Sequence, residues 1–274
     1  MWSKTRPLLS ALALSLAAAA PAQAHMTWLL ANNYQVNGKE AVVSVDAAVS
    51  EDLFVFERAL KLEQILITAP DGSRAEAQQR SSARHRESFE LRLTQDGTYR
   101  ISHVQLALMG SYVQDGQTKR FRATPATLDQ ELPAGAQLQG LTQVHNRQQV
   151  FVSKEEPGQL GFAPEGQGLE LLPLDAVTEL SHGDRSRFRL LLDGQPLADA
   201  SVRLLREGNR YRYKLGEQLI KTDAKGEFTV DWTEAGRYWL GVSQGDKPAP
   251  GVTGTREKPL RRASLSASFE VLPR

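Results

Sequence analysis

The segment SFELRL at residues 88–93, followed by Asp96-Gly97 and then TYRISHV at residues 98–104, decides the fold class. In the first run apolar and polar residues alternate with a period of two, which is typical of a β-strand buried on one face. Asp-Gly is a frequent turn pair between such runs. We therefore predict two strands here, joined by a turn.

The same pattern continues in both directions along the chain. Further strand-like runs, broken by turn residues, occupy residues 41–47, 62–68, 149–153, 169–172, 186–192, 200–205, 227–232, 236–242 and 263–272. Asp115-Gly116 is predicted to be a hairpin tip, and a short helix is predicted near residues 127–132. The chain is therefore predicted to be all-β.

Residues 154–168 are rich in proline and glycine and poor in large apolar side chains, which is typical of a linker. We predict two β-sandwich domains, at residues 25–160 and 161–274. The second has the strand number and short turns of an immunoglobulin-like or transthyretin-like sandwich. Its predicted core consists of Phe188, Leu190, Val202, Phe228, Trp239 and Val242.

Residues 1–24 have the features of a secretory signal peptide. Lys4 and Arg6 precede an uncharged apolar run at residues 8–20, and Ala22-Gln23-Ala24 is a small-x-small cleavage site. The chain has no cysteine, which excludes disulfides and thiolate metal sites. We expect a periplasmic protein whose processed form begins at His25.

Composition argues against several functions. Loss of Lys4 and Arg6 turns the formal net charge of +1 into −1, which offers no attraction for nucleic acid. No second apolar run approaches the ~20 residues that span a bilayer. The sequence contains no nucleophile elbow, P-loop or dinucleotide fingerprint, so we expect a protein that is not an enzyme.

His25 is the principal candidate metal ligand. Cleavage after Ala24 would give it a free amine, and this amine and the imidazole Nδ1 can close a chelate ring on one cation. Neutral nitrogen ligands suit nickel, cobalt, copper or zinc better than calcium or magnesium. We expect a divalent transition metal at this position, with nickel, cobalt or copper as the leading candidates.

Four other histidines could complete such a site. His103 and His145 are the preferred additional ligands, because both lie in the first predicted domain with His25. His85 lies between two arginines, and His182 belongs to the second domain. No pair has a recognised metal-site spacing, so the ligands would have to come from distant segments.

Several motifs resemble a periplasmic family known as a domain of unknown function or as a nickel/cobalt-uptake periplasmic component. They are the start around His25 and residues 28–30, and then residues 45–50, 112–120, 168–174, 192–198, 222–228 and 236–240, in that order. The resemblance spans nearly all of residues 25–274. It implies two β-domains, transition-metal binding and a role in metal uptake. The family often has a histidine in the stretch that corresponds to residues 54–60, and here Arg58 lies in that stretch.

Two functions follow as expectations. The first is a periplasmic transition-metal-binding accessory protein that supports nickel/cobalt or iron-siderophore uptake, with an inner-membrane transporter or outer-membrane receptor as partner. The alternative is a metal-free β-sandwich interaction module that binds such a receptor or transporter.

Overall fold

The computed structural model describes residues 25–158 and 160–274; the predicted signal peptide lies outside them. The strands of the first half are β1 (Met26–Ala31), β2 (Gln35–Val36), β3 (Val42–Ser50), β4 (Arg58–Ala59), β5 (Gln64–Thr68), β6 (Arg74–Ala75), β7 (Gln78–Ser82), β8 (Glu87–Arg92), β9 (Gly97–Gln114), β10 (Gln117–Ala123) and β11 (Gln137–Lys154), with helix α1 (Leu128–Glu131) between the last two. Those of the second half are β12 (Leu169–Pro173), β13 (Leu180–Ser181), β14 (Arg185–Leu192), β15 (Gln195–Pro196), β16 (Ser201–Arg206), β17 (Gln218–Lys221), β18 (Glu227–Asp231), β19 (Gly236–Gly245) and β20 (Leu260–Leu272).

The strands form three sheets. The first sheet has the order β1-β3-β8-β7, with β4 attached to β3. The middle sheet has eleven strands, of which β17-β16-β19-β20-β11-β9-β5-β6 form the main path. The third sheet has the order β12-β14-β15, with β18 attached to β14. The two halves of the chain meet in the middle sheet, where β20 pairs in parallel with β11.

The first and third sheets pack on opposite faces of the middle sheet. Side chains alternate between the faces of a strand, and neighbouring residues of the middle sheet do belong to different cores. Val150 and Val152 face the first sheet, whereas Phe151 between them faces the third. We call the face toward the first sheet the front face and the opposite one the back face. The protein is thus two sandwiches that share one sheet.

The all-β fold and its packed sheets confirm the predicted fold class. The turn at Asp115-Gly116 joins β9 to β10, and α1 occupies the predicted helical segment. Strands from both sides of residue 160 contribute to the middle sheet. The division into domains at 25–160 and 161–274 therefore stays a prediction about folding units.

Two details differ from the sequence-based prediction. Trp239 was assigned to the core of the second half, but its indole lies in the front core with the first sheet. The other predicted members, Phe188, Leu190, Val202, Phe228 and Val242, all lie in the back core. The strand predicted at residues 149–153 begins much earlier, because β11 is 18 residues long, and it therefore includes His145.

Candidate functional site

His25 lies immediately before β1, at the edge of the first sheet. Its side chain is 54 % exposed, and its Nε2 lies 3.5 Å from a carboxylate oxygen of Glu51. The antiparallel pairing of β1 with β3 explains this contact, because Met26 is opposite Ser50. His25, one residue before Met26, is therefore close to Glu51, one residue after Ser50. The local donor set is one imidazole and one carboxylate.

A groove of about 890 Å³ begins at His25 and extends over the front face of the middle sheet. It exists because the first sheet ends at β1 while the middle sheet continues beyond it. The groove is lined by His25, Met26, Thr27, Asn146, Ser201, Arg203, Glu217, Leu219, Trp239, Gly241, Val242, Ser243, Ser264, Leu265 and Ser266. Serine and threonine provide five of these fifteen residues, and larger apolar side chains provide another five.

The backbone of Thr27 anchors the start of β1 to the groove floor. Its carbonyl oxygen accepts hydrogen bonds from Trp239 Nε1 at 3.0 Å and from Ser266 Oγ at 2.7 Å. The Trp239 indole lies over Gly241, where an added Cβ would be only 2.0 Å from the ring. Only glycine leaves room for the ring there. The position of residues 25–27 at the groove is therefore built into the packing.

Ionisable side chains contribute to the groove lining. His25, which lies next to Glu51, is one of them. Arg203 and Glu217 also line the groove and pair with each other, and the guanidinium of Arg203 lies 5.6 Å from the centre of the Trp239 ring. The groove thus offers hydroxyl groups and both signs of charge beside apolar side chains.

His103 lies on the front face but is sealed from the groove. Its side chain is buried on β9, its Nδ1 is 2.8 Å from Gln148 Oε1, and its Nε2 accepts the Glu63 N–H at 3.3 Å. Gln148 in turn donates to Thr27 Oγ1. Burial lowers the pKa of His103, although the hydrogen bond to Gln148 opposes this. Both ring nitrogens are engaged in holding strands together.

His145 lies on the opposite face. His103 is directly opposite Gln148 in the β9–β11 pairing, and His145 is three residues from Gln148, so its side chain points to the back face. Its imidazole is buried beneath Gly168, and neither ring nitrogen has a hydrogen-bond partner within residues 25–158 and 160–274. Burial, and then the charge of Arg147, lower its pKa.

The structure therefore does not bring the three candidate ligands together. His25 is exposed at the groove, whereas His103 and His145 are buried on opposite faces of the middle sheet. Across the described chain, no cluster of three or more histidine, aspartate or glutamate side chains could hold a metal ion. Metal binding at His25 stays a prediction, with Glu51 as the neighbouring donor instead of His103 or His145.

A buried ionic cluster that was not predicted from the sequence lies on the back face. Glu165, in the segment between β11 and β12, lies 3.1 Å from Arg100 and 2.6 Å from Arg147. The arginine side chains are only 2 % and 1 % exposed. Glu170 accepts the backbone N–H groups of Glu165 and Gly166, each at 2.7 Å. The sequence gives little signal of this cluster, because Arg100 alternates with polar Thr98 and Ser102, and Arg147 lies outside the predicted strand at 149–153.

These features define the class of protein: an all-β module with two sandwiches on a shared sheet and a polar groove beside His25. The chain belongs to the family described as Domain of unknown function (DUF4198), whose model matches residues 22–246. The match ends before β20, the strand that joins the two halves of the middle sheet. No curated protein matches the chain.

Solved structures with partial similarity include the D0-D1 domain of intimin, at 12 % identity and a TM-score of 0.22, covering 90 % of this chain and 99 % of that one. The adhesin InvE of Yersinia pseudotuberculosis matches at 10 % identity and 0.20, covering 89 % and 58 %. A mutant of Salmonella alpha-2-macroglobulin matches at 13 % identity and 0.26, covering 91 % and 15 %. Overlaps this low carry no argument about fold or function. Of the helices described, none has the length and apolarity needed to cross a membrane.

Proposed function

We propose that the processed protein is a periplasmic interaction module whose groove holds an extended polar segment of a membrane receptor or transporter. The observation that supports this is the groove itself, whose volume of about 890 Å³ is within the range of specific ligand sites. The proposal gives the groove no catalytic role.

The groove lining suits an extended peptide. Ser264, Ser266 and Asn146 bring hydroxyl and amide groups to the floor. Ser264 Oγ donates to Asn146 Oδ1 and Ser266 Oγ donates to Thr27 O, so the remaining lone pairs of the two hydroxyl groups can accept hydrogen bonds from the N–H groups of an extended backbone. The Arg203–Glu217 pair can recognise charged side chains, and Leu219 offers apolar contact.

The absence of native cysteine makes a direct test possible. Leu219→Cys places the only thiol of the chain at the groove rim, and Val252→Cys places it on an exposed surface that does not line the groove. Thiol crosslinking in intact cells should join the first variant, and not the second, to one membrane protein, identified by mass spectrometry.

Reconstitution then decides whether that contact is specific. A synthetic segment of the captured protein should bind the purified module with one-to-one stoichiometry by titration calorimetry. Ser264→Arg should abolish binding, because the long side chain fills the groove floor. Equal crosslinking from both cysteines, or unchanged binding by Ser264→Arg, would contradict the proposal.

A second candidate function rests on His25 alone. Its imidazole lies next to Glu51, and cleavage after Ala24 would add the terminal amine as a third donor. Three such donors suit nickel, cobalt or copper. This arrangement would support metal uptake, in the nickel/cobalt or iron-siderophore context that the family resemblance implies.

Metal removal and re-addition test the second function. After chelator treatment, one equivalent of nickel or copper should rebind. His25→Ala should abolish binding. An extra residue ahead of His25 should do the same, because it keeps the imidazole but displaces the amine. Unchanged binding by the extended protein would exclude the terminal chelate.

A further inference from the structure

Most of the large hydrophobic side chains that are strongly exposed lie in one segment. Of seven such residues on the described chain, four fall between residues 211 and 219. Tyr211 is 83 % exposed and Tyr213 is completely exposed, while Leu215 is 44 % exposed. We call residues 208–216, which connect β16 to β17, the tyrosine loop.

Positive charge accompanies the tyrosines. Arg210, Arg212 and Lys214 alternate with Tyr211 and Tyr213. The full connection from β16 to β17 also contains Glu207 and Glu217 at its two ends, and Arg210 Nε lies 3.6 Å from Asp52 Oδ2. A net positive charge remains on the connection, and Arg212 and Lys214 are the cations next to Tyr213. The formal charge of residues 25–274 is close to zero, so this charge is a local feature and does not reflect a basic protein.

The loop is held in shape by its own polar contacts. Asn209 Oδ1 accepts the Leu53 N–H at 3.0 Å, which ties the base of the loop to the first-sheet side of the molecule. Arg212 donates to the carbonyl oxygens of Arg206 at 2.6 Å and Leu215 at 3.2 Å. The two tyrosines are therefore displayed by an ordered loop, and little additional ordering is needed for them to bind a surface.

We propose that the tyrosine loop docks the protein on an anionic phospholipid surface. Tyrosine side chains favour the headgroup level of a bilayer, where the ring is partly apolar and the hydroxyl stays hydrated. Lysine and arginine beside them are attracted to anionic lipid. Aromatic hot-spot residues of protein–protein interfaces cluster in packed pockets, whereas Tyr211 and Tyr213 project separately into solvent.

Docking in this way would also orient the groove. The tyrosine loop leads directly into Glu217 and Leu219, which line the groove. The groove would then lie close to the bilayer surface, within reach of a membrane protein. Lipid binding stands independently of the proposed function, since vesicles contain no protein partner.

Co-sedimentation with vesicles tests the proposal on the protein without its signal peptide. The protein should bind vesicles that contain phosphatidylglycerol but should not bind vesicles of phosphatidylcholine alone. Tyr211→Ser combined with Tyr213→Ser should lose this binding. The matched control, Val252→Ser combined with Leu272→Ser, removes exposed apolar side chains elsewhere and should bind like the unmodified protein.

A charge comparison completes the test. Lys214→Gln should weaken vesicle binding about fivefold, as expected for ~1 kcal/mol per cation near an anionic surface. Lys225→Gln removes one exposed charge from a turn in the second half and should have no such effect. Failure of the unmodified protein to bind the anionic vesicles, or equal losses in the loop and control variants, would overturn the proposal. An acidic protein would then be the better partner for the loop.

Discussion

The two faces of the middle sheet are built in different ways over the same strands. On the front face, Tyr99, Ile101, Val150 and Val152 are apolar and lie beneath the regular first sheet. On the back face Phe151 is apolar, but five buried residues of the same strands are polar: Thr98, Arg100, Arg147, Gln149 and Ser153. Thr98, Arg100 and Arg147 hydrogen-bond to the irregular segment 155–168.

The difference follows from what covers each face. A strand of the first sheet satisfies its own backbone groups by pairing, so the sheet below needs to supply only apolar surface. None of the described residues of segment 155–168 belongs to a strand, and buried side chains of the middle sheet satisfy several of its backbone groups. Thr98 donates to Pro157 O at 2.7 Å, Arg100 to Ala163 O at 3.2 Å and Arg147 to Gln167 O at 3.2 Å.

The largest effect on stability is expected from removing the negative charge at the centre of the back-face cluster. Glu165→Gln leaves Arg100 and Arg147 buried without a carboxylate, and we expect the free energy of unfolding to fall by ~3–5 kcal/mol. Urea denaturation measures this. Glu234→Gln is the control, because Glu234 is 62 % exposed in its pair with Arg206 and should contribute ~0–1 kcal/mol.

The same cluster predicts a dependence on pH. Burial opposes ionisation of Glu165, but the hydrogen bond and charge of Arg147, with Arg100, outweigh it and lower its pKa. Its contribution is complete above the unfolded value of ~4.3 and is lost as the pH falls toward the folded pKa. The stability difference between the unmodified protein and Glu165→Gln should therefore shrink in that acid range. A constant difference would argue against an ionised Glu165.

A front-face truncation should cost somewhat less. Ile101→Ala leaves a cavity among packed apolar side chains, and we expect a loss of ~2–5 kcal/mol with no dependence on pH. Urea denaturation at neutral and acid pH checks both parts. A loss that varied with pH would mean that the front face is coupled to the ionic cluster behind it.

The two buried histidines allow a finer comparison. His103→Leu leaves Gln148 Oε1 and the Glu63 N–H without their partner, so we expect a loss of ~1–3 kcal/mol in urea denaturation. His103→Gln, which retains polar atoms, should lose less. If the leucine variant were as stable as the unmodified protein, the hydrogen bonds of His103 would have no net structural role.

The smallest effect is expected at His145. His145→Leu removes two nitrogens that have no partner among the described residues, so stability at neutral pH should change by less than for His103→Leu. Since its folded pKa is lowered, His145 costs stability as the pH falls below ~6.5. The leucine variant should lose less stability between neutral and mildly acid pH. An unchanged pH profile would contradict this.

Local pattern was enough to predict the parts of the fold that depend on local chemistry. Period-two alternation located β8, and Asp-Gly pairs located the tip between β9 and β10. The middle sheet was harder, because it is buried on both faces. The residues next to Trp239 are also apolar. Strand geometry therefore predicts that the Trp239 side chain points to the face opposite its neighbours, but it does not predict which of the two cores the side chain enters.

The site depended on contacts between distant segments, which sequence spacing does not reveal. The groove forms because the start of β1 lies over the β19–β20 pair, which is more than 200 residues away in the chain. Likewise, only the register of β9 against β11 separates His103 and His145 onto different faces. His25 was singled out by chemistry alone, and its contact with Glu51 came from the β1–β3 register.

The position of β20 has a consequence for how the protein is made. This strand follows every other strand in the chain, yet it lies between β19 and β11 at the centre of the middle sheet. A chain that has emerged only as far as residue 259 therefore has two open sheet edges, one on β11 and one on β19, where β20 will pair. Open edges invite pairing with other chains. The interval before β20 emerges is thus a period in which a newly made molecule needs protection from its neighbours.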